Sequence, residues 1–327
     1  MSSFPDKKIN LLPVDKVEIV ILMDNMIDYL LEGSEQVIRP PYTNRRGILR
    51  PTRVPLLAEH GVSLLINLSK GQNSQTILFD AGYSEFGVPH NLASLEVDLK
   101  SINTLVLSHG HIDHFGALLR VLDQIHSSIP LVVHPDAFVP VRYVEFRGNR
   151  LYSNRLERQD LLDRDVQVIE SVRPHLSPDR CWAVTGEIPR MTDFEKGLPG
   201  AWLERKGRLE RDYILDDQAL IISVKGKGLV ILSGCGHAGV VNTIKYALKI
   251  TGQEQIHAVI GGFHLSGREM ESIREETIQE LRVFEPDMVV PMHCTGFAAI
   301  ARLKEVFPKQ HILSSVGTKL VIHGTET

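Results

Sequence analysis

Cysteine is scarce in this chain: Cys181, Cys235 and Cys294 are the only three in 327 residues. Three scattered thiols cannot build a disulfide framework, which points to a reducing compartment. Residues 1–10 are not followed by an uninterrupted apolar stretch of the secretory type, so a cytoplasmic location is expected. Apolar runs approaching the ~18 residues of a membrane span are also missing. Positive charge is not in excess, since 36 Lys and Arg face 40 Asp and Glu for a net charge of −4, and a nucleic-acid partner is not expected. Internal repeats, low-complexity tracts and a glycine-rich phosphate loop are absent as well. What remains is 43% hydrophobic and 23% charged, the balance of a globular chain with a sizeable core.

What the chain does have is histidine, concentrated in one place. Residues 108–115 read Ser-His-Gly-His-Ile-Asp-His-Phe, directly after the apolar, β-prone run 103–107. His109, His111, Asp113 and His114 thus crowd into six residues at a strand end. Buried together without a cation they would repel or stay unsatisfied, so the cluster reads as metal ligands.

The rest of the chain repeats the same placement. Strands are expected at 17–23, 62–67, 75–79, 130–133, 220–224, 228–232, 256–260, 287–290 and 319–322, with helices at 116–125, 240–250, 269–284 and 298–307. Asp80, the cluster at 109–114, Cys235 with His237, His264 and His293 each follow one of the expected strands. In α/β architectures ligands gather outside the carboxyl ends of strands, so these ends are expected to converge on one crevice. A catalytic site uses about three protein ligands per ion and keeps a position open, which makes this set enough for two divalent ions. Imidazole, carboxylate and thiolate together suit zinc first, with iron or manganese as alternatives. Residues 138–217, rich in arginine, proline and glycine, read as an insertion or lid on a single domain spanning 1–327.

The run His109-x-His111-x-Asp113-His114 resembles the signature of the metallo-β-lactamase superfamily. Asp80 resembles that family's first-motif aspartate, and His293 its last-motif histidine. The phrases at 58–63, 107–111, 233–239 and 292–296 are similar to a branch labelled dihydropterin aminobenzene phosphate synthase-like. The resemblance implies an α/β fold, an αββα sandwich of two mixed β-sheets flanked by helices, with a dinuclear site along one edge. Two departures stand out. Cys235 occupies the place of the bridging aspartate, and the third-motif histidine has no counterpart, its region offering Gly186-Glu187-Ile188-Pro189-Arg190. His237 or His264 must then complete the first site, and His264 is favoured because it repeats the strand-end placement after two glycines.

Each of these residues has a plainer alternative. Cys235 can be a small buried core residue, His237 a helix cap and His264 a partner that only orients a ligand. Cys294 reads as a packing residue or a group behind the ligands, because neighbours along a strand point opposite ways. His60 and His134 are considered only as groups behind the ligands. Arg39, Arg45, Arg46, Arg50 and Arg53, with Arg142, Arg147, Arg150, Arg155 and Arg158, could form a forked anion site or simply a solvated face.

The expected activity is hydrolysis by a hydroxide activated between two metals, with Asp113 as the catalytic group that orients it. The substrate expected is a phosphorylated or anionic, ester-like small molecule, pterin-like in one version. An iron-dependent oxidoreductase or synthase, and a non-catalytic metal sensor, are the competing readings. Self-association into a homo-oligomer is left open.

Overall fold

The structure is a computed structural model that describes residues 8–40, 54–125 and 128–325, and the backbone alone at 43–45 and 48–50. Two mixed sheets stack face to face. The first has eight strands in the order Gln167–Glu170, Pro130–Val133, Ile102–Val106, Asn73–Phe79, Ser63–Lys70, Lys16–Met23, Lys319–His323, Val37–Ile38. The second has six, in the order His175–Leu176, Trp182–Val184, Ala219–Val224, Gly228–Ser233, Ile256–Gly262, Met288–Met292.

The alternation along the strands explains the layering. Ile19, Ile21, Leu64, Ile66, Ile77 and Phe79 of the first sheet meet Leu220, Ile222, Val230, Leu232, Ile260 and Val290 of the second in a buried core between the sheets. Residues one position along point outward. Leu22, Leu65, Leu78 and Leu105 pack under the helices Gly87–Ser94 and Leu118–Ile125. Ile221, Ile231, Val259 and Val289 pack under Val240–Thr251, Glu271–Val283 and Phe297–Val306. This period-two sorting onto two faces yields helix, sheet, sheet, helix: the expected αββα sandwich.

The stretch 138–217 divides between sandwich and outgrowth. Gln167–Glu170 extends the first sheet parallel to Pro130–Val133, and Trp182–Val184 extends the second beside Ala219–Val224. Beyond these the stretch contains a separate antiparallel sheet of Asn149–Tyr152, Val141–Phe146, Ala201–Arg205 and Arg208–Arg211. Asn149–Tyr152 and Arg208–Arg211 are exposed along their whole length, so neither carries an alternating apolar pattern.

Candidate metal centre

The site lies where parallel strands of both sheets end. From the first sheet, Asn73–Phe79 delivers Asp80, and Ile102–Val106 leads through Leu107 into the histidine cluster. From the second, Gly228–Ser233, Ile256–Gly262 and Met288–Met292 deliver Cys235, His264 and His293. Gly234 marks the closest approach. A Cβ there would collide with the Ser108 side chain and come within 2.9 Å of Asp80 Oδ2, so only glycine lets the loops touch.

On the first-sheet side every group is tied down. Asp80 accepts from the Ser108 amide at 2.7 Å and from its hydroxyl at 2.7 Å, and lies 2.6 Å from His114 Nδ1. That contact turns His114 Nε2 toward Cys235 Sγ, 3.1 Å away. Asp80 thus orients a candidate ligand from behind, the arrangement that fixes tautomer and ring direction in metal sites. Ser108 Oγ is 2.9 Å from His109 Nδ1, and His109 Nε2 is 3.0 Å from His111 Nδ1. The Gly110 amide donates to Asp216 at 2.7 Å, which anchors the loop between the two histidines.

The second-sheet side contrasts with this. Both ring nitrogens of His237 are buried without a hydrogen-bond partner, as is His264 Nδ1, while His293 Nε2 faces Asp113 Oδ2 at 3.2 Å. Unpaired buried nitrogens are costly unless something else satisfies them. His293 is held through its other nitrogen, 3.0 Å from Asn25 Oδ1, and through its amide, which donates to Asp24 Oδ1 at 2.8 Å. His264 and His293 both adopt left-handed backbone, with φ of 44° and 49°.

Three ligand constellations result. Asp113, His114, Cys235 and His293 bring their donor atoms within 4.8 Å of one another, as do His109, Cys235 and His237, and also Cys235, His264 and Cys294. Around His237 the rings of His109 and His111 have centroids 4.9 Å away each, and 4.6 Å from one another. His264 stands behind His237 at 4.2 Å. His60 reaches in from the solvent side, its Nε2 3.7 Å from Asp113 Oδ2.

Electrostatics leaves lone pairs available on His109, His111 and His237, whereas His114 must give up a proton to receive a cation. Burial holds His109 and His237 well below the ordinary histidine value, helped by neighbouring imidazoles, and brings His111 to about 3. These rings are neutral near pH 7. For His114 burial works in the same direction but Asp80 and Asp113 outweigh it, raising the value to about 9. Asp113 is held below the carboxylate range because His114, His293 and His111 together overcome burial. Burial and Cys294 push the Cys235 thiol up; for Cys294 burial is outweighed by Cys235, His293 and His264. Neutral imidazoles, an ionised carboxylate, an available sulfur and orphaned nitrogens fit a divalent cation.

One expectation needs correction. Cys294 does not follow strand alternation, because His293–Thr295 is a 3-10 turn beyond the strand, and its sulfur joins the site. The glycine at 296 was the signal for that turn. Of the two readings open for the arginines, a forked anion site is not what the described side chains form. Arg142 is 4% exposed and bound to Asp212 and Asp216, and Arg155 and Arg158 pair with Glu157 and Glu170. Arg147 lies over Phe146 and Arg150 over Tyr143. Arg39 donates to the carbonyls of Glu32 and Leu313. The side chains of Arg45, Arg46, Arg50 and Arg53 lie outside the described residues.

Sequence reasoning also passed over Asp24 and Asn25, which hold His293, and Asp216, which holds Gly110. Asp24 and Asn25 directly follow a strand, the same signal that marked Asp80. Of the other described histidines, His90 bonds the Pro55 carbonyl, His175 stands 6.1 Å from Trp182, and His134 caps a 3-10 turn through the Asp136 amide.

Above the centre is a cavity of about 320 Å³. Its walls include Tyr83, Tyr143, Leu151 and Tyr152, the last three from the small antiparallel sheet.

Comparison with known proteins agrees with this geometry. Residues 58–178 match the sequence profile of the metallo-beta-lactamase superfamily. A curated protein of Methanocaldococcus jannaschii, 7,8-dihydropterin-6-methyl-4-(beta-D-ribofuranosyl)-aminobenzene-5'-phosphate synthase, is 32% identical over 269 residues, covering 79% of this chain and 89% of its own. A second, uncharacterized protein of the same organism is 31% identical over 264 residues, covering 80% and 94%. Among solved structures, a metal-dependent hydrolase of the beta-lactamase superfamily superposes with a TM-score of 0.70 at 23% identity, covering 94% of this chain and 99% of that one.

Proposed function

Because the chain belongs to the metallo-beta-lactamase superfamily, we propose that it is a dinuclear metal-dependent hydrolase acting on an ester-like bond of a small, ring-bearing molecule. The observation that carries this reading is the meeting of two donor sets on Cys235. His109, His111 and His237 would hold one divalent ion; Asp113, His114 and His293 would hold the other, with Cys235 between them. This reading gives His237, and not the His264 favoured by the sequence, the third-imidazole place, supported by its ring lying 4.9 Å from those of both His109 and His111. Bound divalent ions supply Lewis acidity, which makes water a nucleophile near neutral pH and polarises the bond it attacks.

The chain's own groups supply the remainder. Asp113 Oδ2, 3.2 Å from His293 Nε2 and 3.8 Å from His114 Nε2, is placed to orient a water through its ionised oxygen. His60, on the solvent side of Asp113, is the next group along the path outward. The small sheet acts as a lid, its tyrosines forming walls suited to a flat ring and keeping bulk water out. A pterin-like substrate is supported by the name of the 32% relative and by these aromatic walls. A phosphate on it would need a cation other than Arg142, Arg155 or Arg158, which are already paired.

A second reading, synthase chemistry on the same centre, is favoured by that relative's name. The discriminating experiment reconstitutes purified protein with zinc, manganese or ferrous iron and offers phosphomonoesters, phosphodiesters, thioesters, lactones and dihydropterin derivatives. Metal-dependent ester turnover that His111→Ala abolishes supports the hydrolase. Consumption of a dihydropterin with formation of a new bond, and no ester turnover, would replace it with the synthase.

A further inference from the structure

The dinuclear arrangement leaves Cys294 and His264 unused, although both stand against Cys235. The sulfurs of Cys235 and Cys294 and a ring nitrogen of His264 lie within 4.8 Å of one another. Cys294 is 7% exposed, and its thiol donates to the Cys235 carbonyl at 3.2 Å. His264 Nδ1 is buried and has no hydrogen-bond partner. The backbone is shaped for this grouping. A Cβ on Gly262 would stand 2.7 Å from Cys294 Sγ and 3.1 Å from Cys235 Cα, so glycine makes the room the second sulfur occupies. The left-handed turns at His264 and His293 bring side chains inward that regular strands would have sent elsewhere.

We propose that Cys235, Cys294 and His264 form a third cation position, thiolate in character, that takes a thiophilic divalent ion of the zinc and cadmium class. It rests on the dinuclear reading only through the shared sulfur of Cys235. On binding, whatever thiol proton remains is released to solvent, and the two thiolates balance the charge of the dication. Oxygen-seeking ions such as manganese find no carboxylate in this set and are directed to Asp113 and the imidazoles. Dications crowded around one sulfur repel each other, so filling the thiolate position draws Cys235 away from the dinuclear pair. The arrangement sorts ions by softness and lets excess zinc or cadmium disturb the catalytic pair.

The test is titration of metal-free, reduced, full-length protein with Cd²⁺, read by sulfur-to-cadmium charge-transfer absorption. The wild type is expected to show the amplitude of two thiolates. Cys294→Ser and Cys294→Ala are each expected to lose about half of it while keeping the wild-type near-ultraviolet circular dichroism. Cys181→Ser keeps the full amplitude, and His264→Ala keeps it with Cd²⁺ affinity reduced more than about 10-fold. In protein preloaded with Mn²⁺, addition of Cd²⁺ releases manganese, detected by its paramagnetic resonance. Full wild-type amplitude in folded Cys294→Ser, or amplitude lost only when Cys181 is replaced, would overturn the proposal. Failure of the dinuclear reading has a separate signature: His109→Ala would leave Mn²⁺ binding unchanged, whatever the cadmium amplitude.

Discussion

The two sides of the centre are built in opposite ways. On the first-sheet side, His109 and His114 are braced by Ser108 and Asp80, and the loop between His109 and His111 is pinned by Asp216. On the second-sheet side, His237 has no hydrogen-bond partner on either ring nitrogen, and His264 and His293 sit on strained backbone. The braced side is organised before any ion arrives. The other depends on a cation for nitrogens it leaves unsatisfied, so its stability should be coupled to metal. Such a division places recognition on one wall and closure on the other.

The sharpest way to break the contrast is to remove donors from the braced side. His109→Ala with His111→Ala should abolish retention of the ion held with His237, a loss beyond the ~10–100-fold expected for supporting residues, and leave the ion of the Asp113, His114 and His293 set; elemental analysis after gel filtration measures it. Asp216→Ala strikes the bracing itself. It leaves Arg142, at 4% exposure, with Asp212 as its remaining carboxylate, and the Gly110 amide without its acceptor. A loss of about 1–3 kcal/mol is expected in urea unfolding.

Asp80→Asn is the milder version of the same attack. The residue keeps its shape but loses the charge that orients His114, and metal affinity should fall about 10–100-fold by competition with a chelator. Activity reconstituted with excess metal should recover.

The smallest effect is on the second side, at Glu195. Its carboxylate accepts from the Val241 and Asn242 amides at 3.1 and 2.8 Å, at the start of the helix after His237. Burial nevertheless raises its pKa from 4.5 to about 7. The folded state therefore holds this proton more tightly than the unfolded chain. The resulting stabilisation is complete below about pH 4.5 and is lost as pH rises through about 7. Denaturant midpoints of the wild type relative to Glu195→Gln should fall across that window. A flat difference would contradict the burial argument.

The sequence exposed the braced side more fully than the other, and for a physical reason. His109, His111, Asp113 and His114 are neighbours in the chain, so one strand end carries them all. The second side is assembled from separate strand ends, and choosing between His237 and His264 requires knowing which ring faces the first wall. Cys294 lies two residues past the end of Met288–Met292, where strand alternation no longer holds. The central sheets were legible because their strands are buried and β-branched. The strands Asn149–Tyr152 and Arg208–Arg211 were not, since a fully exposed strand has no hydrophobic period to read.

Metal stoichiometry with Mn²⁺ in the wild type and in His237→Ala tests the central claim most directly, that the two sides close on a pair of ions through His237. The account predicts two ions per chain in the wild type and one in the variant, with the Asp113, His114 and His293 set still occupied. Equal stoichiometry in both proteins, with the variant's affinity unchanged, would contradict it.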